Sequence, residues 1–201
     1  MVKGEPMTRS IAILVGSWAA VSILVACGGR QVPREHVQGP TADMSGSPTD
    51  PASEGRAEIR DAAGRTLGTL ELRSNGNVIL LTGSLRGVPP GSHGLHLHET
   101  GRCDPPFESA GGHWNPSKRR HGLENPQGPH LGDLANLDAL ADSVAEVRTA
   151  TTGGTLRGPN GLFDGDGATV VLHARPDDNR TDPSGSSGSR IACGVVVDAE
   201  N

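Results

Sequence analysis

The chain has no tyrosine and only two phenylalanines and two tryptophans among 201 residues, so Val, Leu, Ile and Ala must fill any core it builds. No segment repeats apolar residues at helical spacing, which argues against a helical bundle. Positive charge is also scarce. The formal net charge is −5, or −6 once residues 1–26 with Lys3, Arg9 and Glu5 are set aside, and no long basic run exists, so nucleic acid is a poor partner. No apolar run reaches the roughly 20 residues that a membrane-spanning helix needs. Against these shortages stand 29 glycines and 15 prolines, which favour an all-β chain with tight turns and long loops.

The longest apolar run, Ile11–Val25, is broken by Gly16 and Ser17 and preceded by Lys3 and Arg9. That is the layout of a secretory signal, residues 1–26. It ends in Leu24-Val25-Ala26-Cys27, followed by Gly28-Gly29, which resembles the lipobox of bacterial lipoproteins. Cys27 is therefore the expected lipidation site, and the membrane a partner through that lipid. The alternative is an ordinary signal peptide that contains a cysteine. Residues 27–54, rich in Pro, Ser, Gly and Asp and without apolar periodicity, read as a flexible tether in which His36 is a solvated bystander. The expected location is extracytoplasmic, on a membrane-anchored lipoprotein facing the periplasm or the cell surface. In such an oxidising compartment Cys103 and Cys193 are expected to form a disulfide, the alternative being two unrelated buried thiols.

From Gly55 onward the pattern is short strands with turn punctuation, and residues 55–201 form the expected folded domain. Strands are expected at Ala57–Arg60, Thr69–Leu72, Val78–Leu85, Gly94–Glu99, Val144–Thr149, Ala168–His173 and Ala192–Asp198. Asn75-Gly76 signals a hairpin between the second and third. The expected fold is a Greek-key β-sandwich or flattened barrel of immunoglobulin-like architecture. Residues 100–133 and 174–190 are long, Gly/Pro-rich and poor in apolar side chains, so both are expected to be functional loops.

The first of these loops holds His113, His121, His130 and Asp133. Alternation along Leu95-His96-Leu97-His98 turns both histidines to one strand face, and His173 closes another strand. A lone His-x-His is a weak signal and more often marks two surface histidines. Together, however, six imidazoles and one carboxylate are too many for one tetrahedral ion and the right number for two ions sharing a ligand. Three imidazoles and Asp133 would complete a closed zinc shell, and metal bonds would order a loop that hydrophobic burial cannot.

The runs GLHLHE, SAGGHWNP, HLGDL, LHARPDD and GSRIACGVV resemble the copper/zinc superoxide dismutase family, particularly its exported bacterial members, over about residues 55–198. That resemblance implies copper on His96, His98, His113 and His173, and zinc on His113, His121, His130 and Asp133, with His113 shared as an imidazolate. It implies that Asp177 links a copper ligand to a zinc ligand, with Asp178 facing solvent. It also implies that Cys103 and Cys193 form the intrasubunit disulfide, and that Arg190 holds the incoming anion. His93 matches a structural histidine rather than a ligand, and Phe107 and Trp114 are expected to pack the loop. The implied activity is conversion of superoxide to oxygen and hydrogen peroxide by redox-cycling copper, with zinc holding the loop. Arg175 and Arg180 are expected to help Arg190 focus the field against the chain's overall acidity.

Two departures stand out. The cysteine before His113 comes earlier than in the animal enzymes, and the 174–190 loop lacks their lysine-and-glutamate steering set. A different class of function is a non-catalytic lipoprotein that buffers or delivers copper or zinc, and a third is a domain using zinc structurally. Arg190 and the complete copper set argue against both. Oligomeric state is left open, and a homodimer is compatible with the sequence.

Overall fold

The computed structural model describes residues 54–159 and 161–199. The expected signal segment, Cys27 and the tether up to residue 53 lie outside the described residues. Nine strands follow: β1 (Gly55–Asp61), β2 (Thr66–Asn75), β3 (Val78–Arg86), β4 (Gly91–His93), β5 (Leu95–His98), β6 (Leu137–Ala139), β7 (Val144–Thr152), β8 (Thr169–His173) and β9 (Arg190–Asp198). Among the described residues the one helical element is a short 3-10 turn, Glu108–Ala110.

Seven strands form one antiparallel sheet in the order β5-β8-β9-β1-β2-β3-β7, and β4 and β6 form a separate pair. That pair links the two edges of the larger sheet. β4 runs into edge strand β5 through Gly94, and β6 runs into edge strand β7 through a turn in which Ser143 donates to the Leu140 carbonyl. The result is a curled, flattened barrel. Residues 153–168 return from β7 to β8, beside the opposite edge, which is the long connection of a Greek key. Glu54 already belongs to the sheet: its backbone N–H donates to Leu72 and its carboxylate accepts from Ser74.

The core is aliphatic, as the shortage of aromatics requires. Alternation buries Ala57 and Ile59 of β1, and Leu70 and Leu72 of β2 beside Leu81 of β3. Trp114, expected to pack the loop, does so against the main core, at 4% exposure. A Cβ at Gly154 would lie 2.1 Å from its ring, so glycine there makes room for the indole. β8 is buried on both faces: Val170 and Leu172 join the main core, while Val171 packs with Phe107, Ala110 and Cys193 under the loop after β5. The Cys103–Cys193 disulfide closes that cover. With a sequence separation of 90 residues, loop-closure entropy puts its contribution at about 4–5 kcal/mol.

β4 and β6, three residues each, were too short to register as alternation. The hairpin turn falls on Gly76-Asn77 rather than Asn75-Gly76, because Asn75 still pairs with Val78. Gly76 takes φ +63° at the first central position, a conformation glycine adopts without steric cost.

One small arrangement fixes the 99–136 loop against β5. Leu97 N–H donates to the Gly132 carbonyl, Gly132 N–H to Trp114 and Trp114 N–H to Leu97, each at 2.9 Å. This closed triangle touches residues adjacent to His96, His98, His113 and Asp133. A Cβ on Gly132 would come within 2.1 Å of the Leu97 oxygen. Gly132→Ala should therefore cost about 1–3 kcal/mol in urea unfolding and lower bound metal at both candidate sites, as read by elemental analysis. Full metal content with unchanged stability would contradict this.

Candidate metal centre

Each cluster begins with strand geometry. β5 pairs with β8, setting His96 opposite Val171 and His98 opposite Thr169, while His173 ends β8 where its register with β9 slips. Isolated bridges join His98 to His113 and His96 to Asp133, delivering the loop to the strand. The structure brings His96, His98, His113 and His173 into one group and His113, His121, His130 and Asp133 into another. All seven side chains are buried.

In the first group every imidazole has one nitrogen engaged and one without a partner. His96 Nε2 meets Asp177 Oδ2 at 2.7 Å, His98 Nδ1 and His173 Nδ1 meet the Gly111 and Gly188 carbonyls at 3.1 Å, and His113 Nδ1 meets Asp133 Oδ1 at 2.8 Å. Because an oxygen acceptor requires N–H on the engaged atom, the opposite nitrogen carries a lone pair. Those opposite atoms, His96 Nδ1 and the Nε2 atoms of His98, His113 and His173, are buried without a hydrogen-bond partner. Each such atom costs about 1–3 kcal/mol unless something coordinates it. Four lone pairs in one place fit a metal that accepts imidazole.

Protonation agrees with that fit. Burial, helped by repulsion from neighbouring groups and opposed by hydrogen bonds, pushes His96 down to about 3, His98 to about 2 and His173 to about 4. All three are neutral imidazoles at physiological pH, the form able to accept a metal.

The second group gathers around one oxygen. Asp133 Oδ1 lies 2.8 Å from His113 Nδ1, 3.0 Å from His121 Nδ1 and 3.2 Å from His130 Nδ1, and the His113 and His130 Nδ1 atoms are 3.4 Å apart. These spacings approach the edge of about 3.3 Å expected for a tetrahedron of zinc bonds. Asp133 Oδ2 is turned away, accepting the backbone N–H groups of Gly122 at 2.8 Å and His130 at 3.0 Å. Burial works against the Asp133 charge, but hydrogen bonds from His113, His121 and His130 outweigh it and hold the carboxyl well below its usual range.

Asp177 spans the groups. Oδ2 accepts from His96 Nε2, and Oδ1 faces His121 Nε2 at 3.0 Å and accepts the Asn179 N–H at 2.6 Å. Asp178, by contrast, is exposed and accepts the Arg180 and Thr181 N–H groups. His93 stays out of both groups, its ring nitrogens against the Pro89 and His173 carbonyls.

A cleft of about 250 Å³ opens in front of the first group, lined by His98, His113, His173, Arg190 and Glu108 among others. Arg190 donates to the Phe107 carbonyl at 2.6 Å and to Gly111 at 2.7 Å, which aims the guanidinium beside His98. Neither Arg175 nor Arg180 lines this cleft, and Arg180 is ion-paired with Glu124, so among the cleft's lining residues Arg190 is the cation.

The model of the copper/zinc superoxide dismutases matches residues 66–196. The chain is 41% identical over 144 residues to copper–zinc superoxide dismutase 1 of Aquifex aeolicus, covering 70% of this chain and 85% of that one. The chain belongs to the copper/zinc superoxide dismutase family. The corresponding figures for the copper–zinc enzyme of Caulobacter vibrioides are 39% over 145 residues, 70% and 83%. The crystal structure of a superoxide dismutase-like protein from Bacillus subtilis superposes with a TM-score of 0.69 at 36% identity, covering 73% of this chain and all of that one.

The superoxide dismutase family uses copper and zinc, and both histidine groups are able to hold metals. Sequence reasoning missed the residues that act through backbone carbonyls, Gly111 and Gly188, since a carbonyl acceptor leaves no mark on residue type. It also missed Asp182, which accepts the His121 N–H at 2.6 Å, and Glu108 at the cleft.

Two outcomes follow from the second group. Burial opposes a charge on His121, but the flanking Asp133 and Asp177 carboxylates prevail and lift it to about 9. Zinc must therefore displace that proton, so its apparent affinity for the metal-free domain should rise about tenfold per pH unit between about pH 6 and 8. Calorimetry in buffers of different ionisation heat would count about one released proton; none near neutrality would contradict the assignment. Asp177→Asn leaves a single acceptor for two imidazole N–H groups. It should weaken zinc binding by about 10–100-fold in competition with a chromogenic chelator.

Proposed function

We propose that the domain disproportionates superoxide to oxygen and hydrogen peroxide, with copper held by His96, His98, His113 and His173. Zinc is held by His113, His121, His130 and Asp133. The observation that carries this reading is the set of four unpartnered, buried imidazole nitrogens beside an arginine at the foot of an open cleft. A buffering protein has no use for a guanidinium held beside an accessible metal group.

When bound, copper supplies the one-electron redox couple and zinc, which has none, supplies charge and a rigid loop. The remaining work belongs to the chain. Asp177, Gly111 and Gly188 fix which nitrogen of His96, His98 and His173 carries hydrogen, so their lone pairs need no rearrangement. His113 presents Nδ1 to Asp133 and leaves Nε2 free, so one ring serves both groups and Nε2 is the atom placed to carry a proton towards the reduced product. Arg190, permanently charged, attracts and orients the anion. The donors of both groups come from a single chain.

The export reading rests on the lipobox at Leu24–Cys27, and the Cys103–Cys193 disulfide supports it, because such bonds persist in oxidising compartments. We place the domain on the extracytoplasmic side, tethered through lipid on Cys27.

Metal analysis combined with superoxide decay tests the proposal. The purified domain should hold one copper and one zinc and dismute superoxide; full loading without activity would overturn the reading. His113→Ala should abolish most activity and loosen zinc. Arg190→Ala should lower kcat/KM at least tenfold on electrostatic grounds with both metals retained, and Arg190→Lys should recover part of the loss. Loss of copper from Arg190→Ala would contradict the anion-holding role.

A further inference from the structure

The cleft in front of the first histidine group carries two fixed charges of opposite sign. Besides Arg190 it is lined by Glu108, the one carboxylate among the described residues that form it. Glu108 Oε2 lies 3.9 Å from Arg190 Nη2, and the glutamate side chain is 77% exposed. An ion pair this long and this wet contributes little to stability. Its place is nevertheless fixed. Arg190 donates to the carbonyls of Phe107 and Gly111, which bracket the 3-10 turn Glu108–Ala110, and Phe107 is anchored under the loop at 2% exposure. The same arginine that faces the cleft therefore holds a carboxylate at its mouth.

We propose that Glu108 is a selectivity charge for this cleft, a reading that rests on superoxide being the substrate. A carboxylate here opposes the attraction of Arg190 for any anion, and the opposition scales with the anion's charge. Superoxide carries one charge and is slowed modestly. Polyanions such as phosphate, able to occupy Arg190 and block it, are repelled about as the square of that factor. The chain's acidity gives no compensating attraction, so Glu108 subtracts directly from the attraction that Arg190 and the bound metals exert at the cleft.

The test is Glu108→Gln in the metal-loaded domain, a change of charge without change of shape at an exposed position. At low ionic strength kcat/KM for superoxide should rise about two- to fivefold, and the gain should vanish near 1 M salt, where the Debye length is about 3 Å. Azide, a monoanion followed through copper absorption, should bind tighter by the same factor. Inorganic phosphate at about pH 8, mostly a dianion, should displace azide with a gain near the square of that factor. Unchanged anion affinities would overturn the proposal, as would a gain that survives high salt or equal gains for azide and phosphate. Activity with unmoved anion affinities removes the role of Glu108 alone. Inactivity of both proteins with two metals bound removes the underlying reading.

Discussion

Three backbone hydrogen bonds among Leu97, Trp114 and Gly132 decide how His96, His98, His113 and Asp133, four of the seven clustered side chains, stand relative to one another. Leu97 lies between His96 and His98, Trp114 follows His113 and Gly132 precedes Asp133, so closing the triangle sets the strand donors and the loop donors at fixed separation. The triangle in turn depends on the core. The Trp114 indole is buried over Gly154, and Leu97 is fully buried on the opposite face of β5 from its histidine neighbours. Apolar burial thus supplies rigidity to a polar site that could not supply it for itself, since unfilled lone pairs destabilise rather than hold a loop.

Charge is distributed between the two groups in opposite ways. Around His96, His98 and His173, burial dominates and the rings are neutral, with carbonyls and one carboxylate fixing their hydrogens. Around His121, two carboxylates dominate and the ring takes a proton. The first group is therefore prepared for a metal before it arrives, whereas the second exchanges a proton for one. Asp177 sits where these regimes meet, one oxygen towards His96 and one towards His121, so the protonation of one group is felt by the other.

Much of this was legible in the chain. Period-two alternation marks β1, β2 and β7 because one face of each is wet, and the residues from His96 to Asp133 that were expected to act together are ones the structure gathers into two groups. β4 and β6 were not legible, because three residues carry no period, and their existence follows from the need to bridge two sheet edges. The reach of Trp114 into the core was not legible, because its sequence neighbourhood is polar and the glycine that receives it lies 40 residues away. The residues that polarise the site through main-chain oxygens, Gly111 and Gly188, are invisible by type. Arg175 and Arg180 show a different limit: sequence gives their charge but not their place, and the structure sets neither in the lining of the cleft, with Arg180 paired to Glu124.

The Gly111 carbonyl ties these strands of reasoning together. It accepts from His98 Nδ1 and from Arg190 Nη2, so one oxygen orients a candidate metal ligand and the cationic group that lines the cleft. Gly111 ends the short turn that Arg190 also grips at Phe107, and Phe107 packs against Cys193 beneath the disulfide. The bond between Cys103 and Cys193 is thus mechanically continuous with the chemistry: it fixes the turn, the turn fixes the carbonyl, and the carbonyl fixes His98 and Arg190 together. Closing the disulfide therefore reinforces the turn that Arg190 grips from the other side, and with it the relative placement of His98 and Arg190.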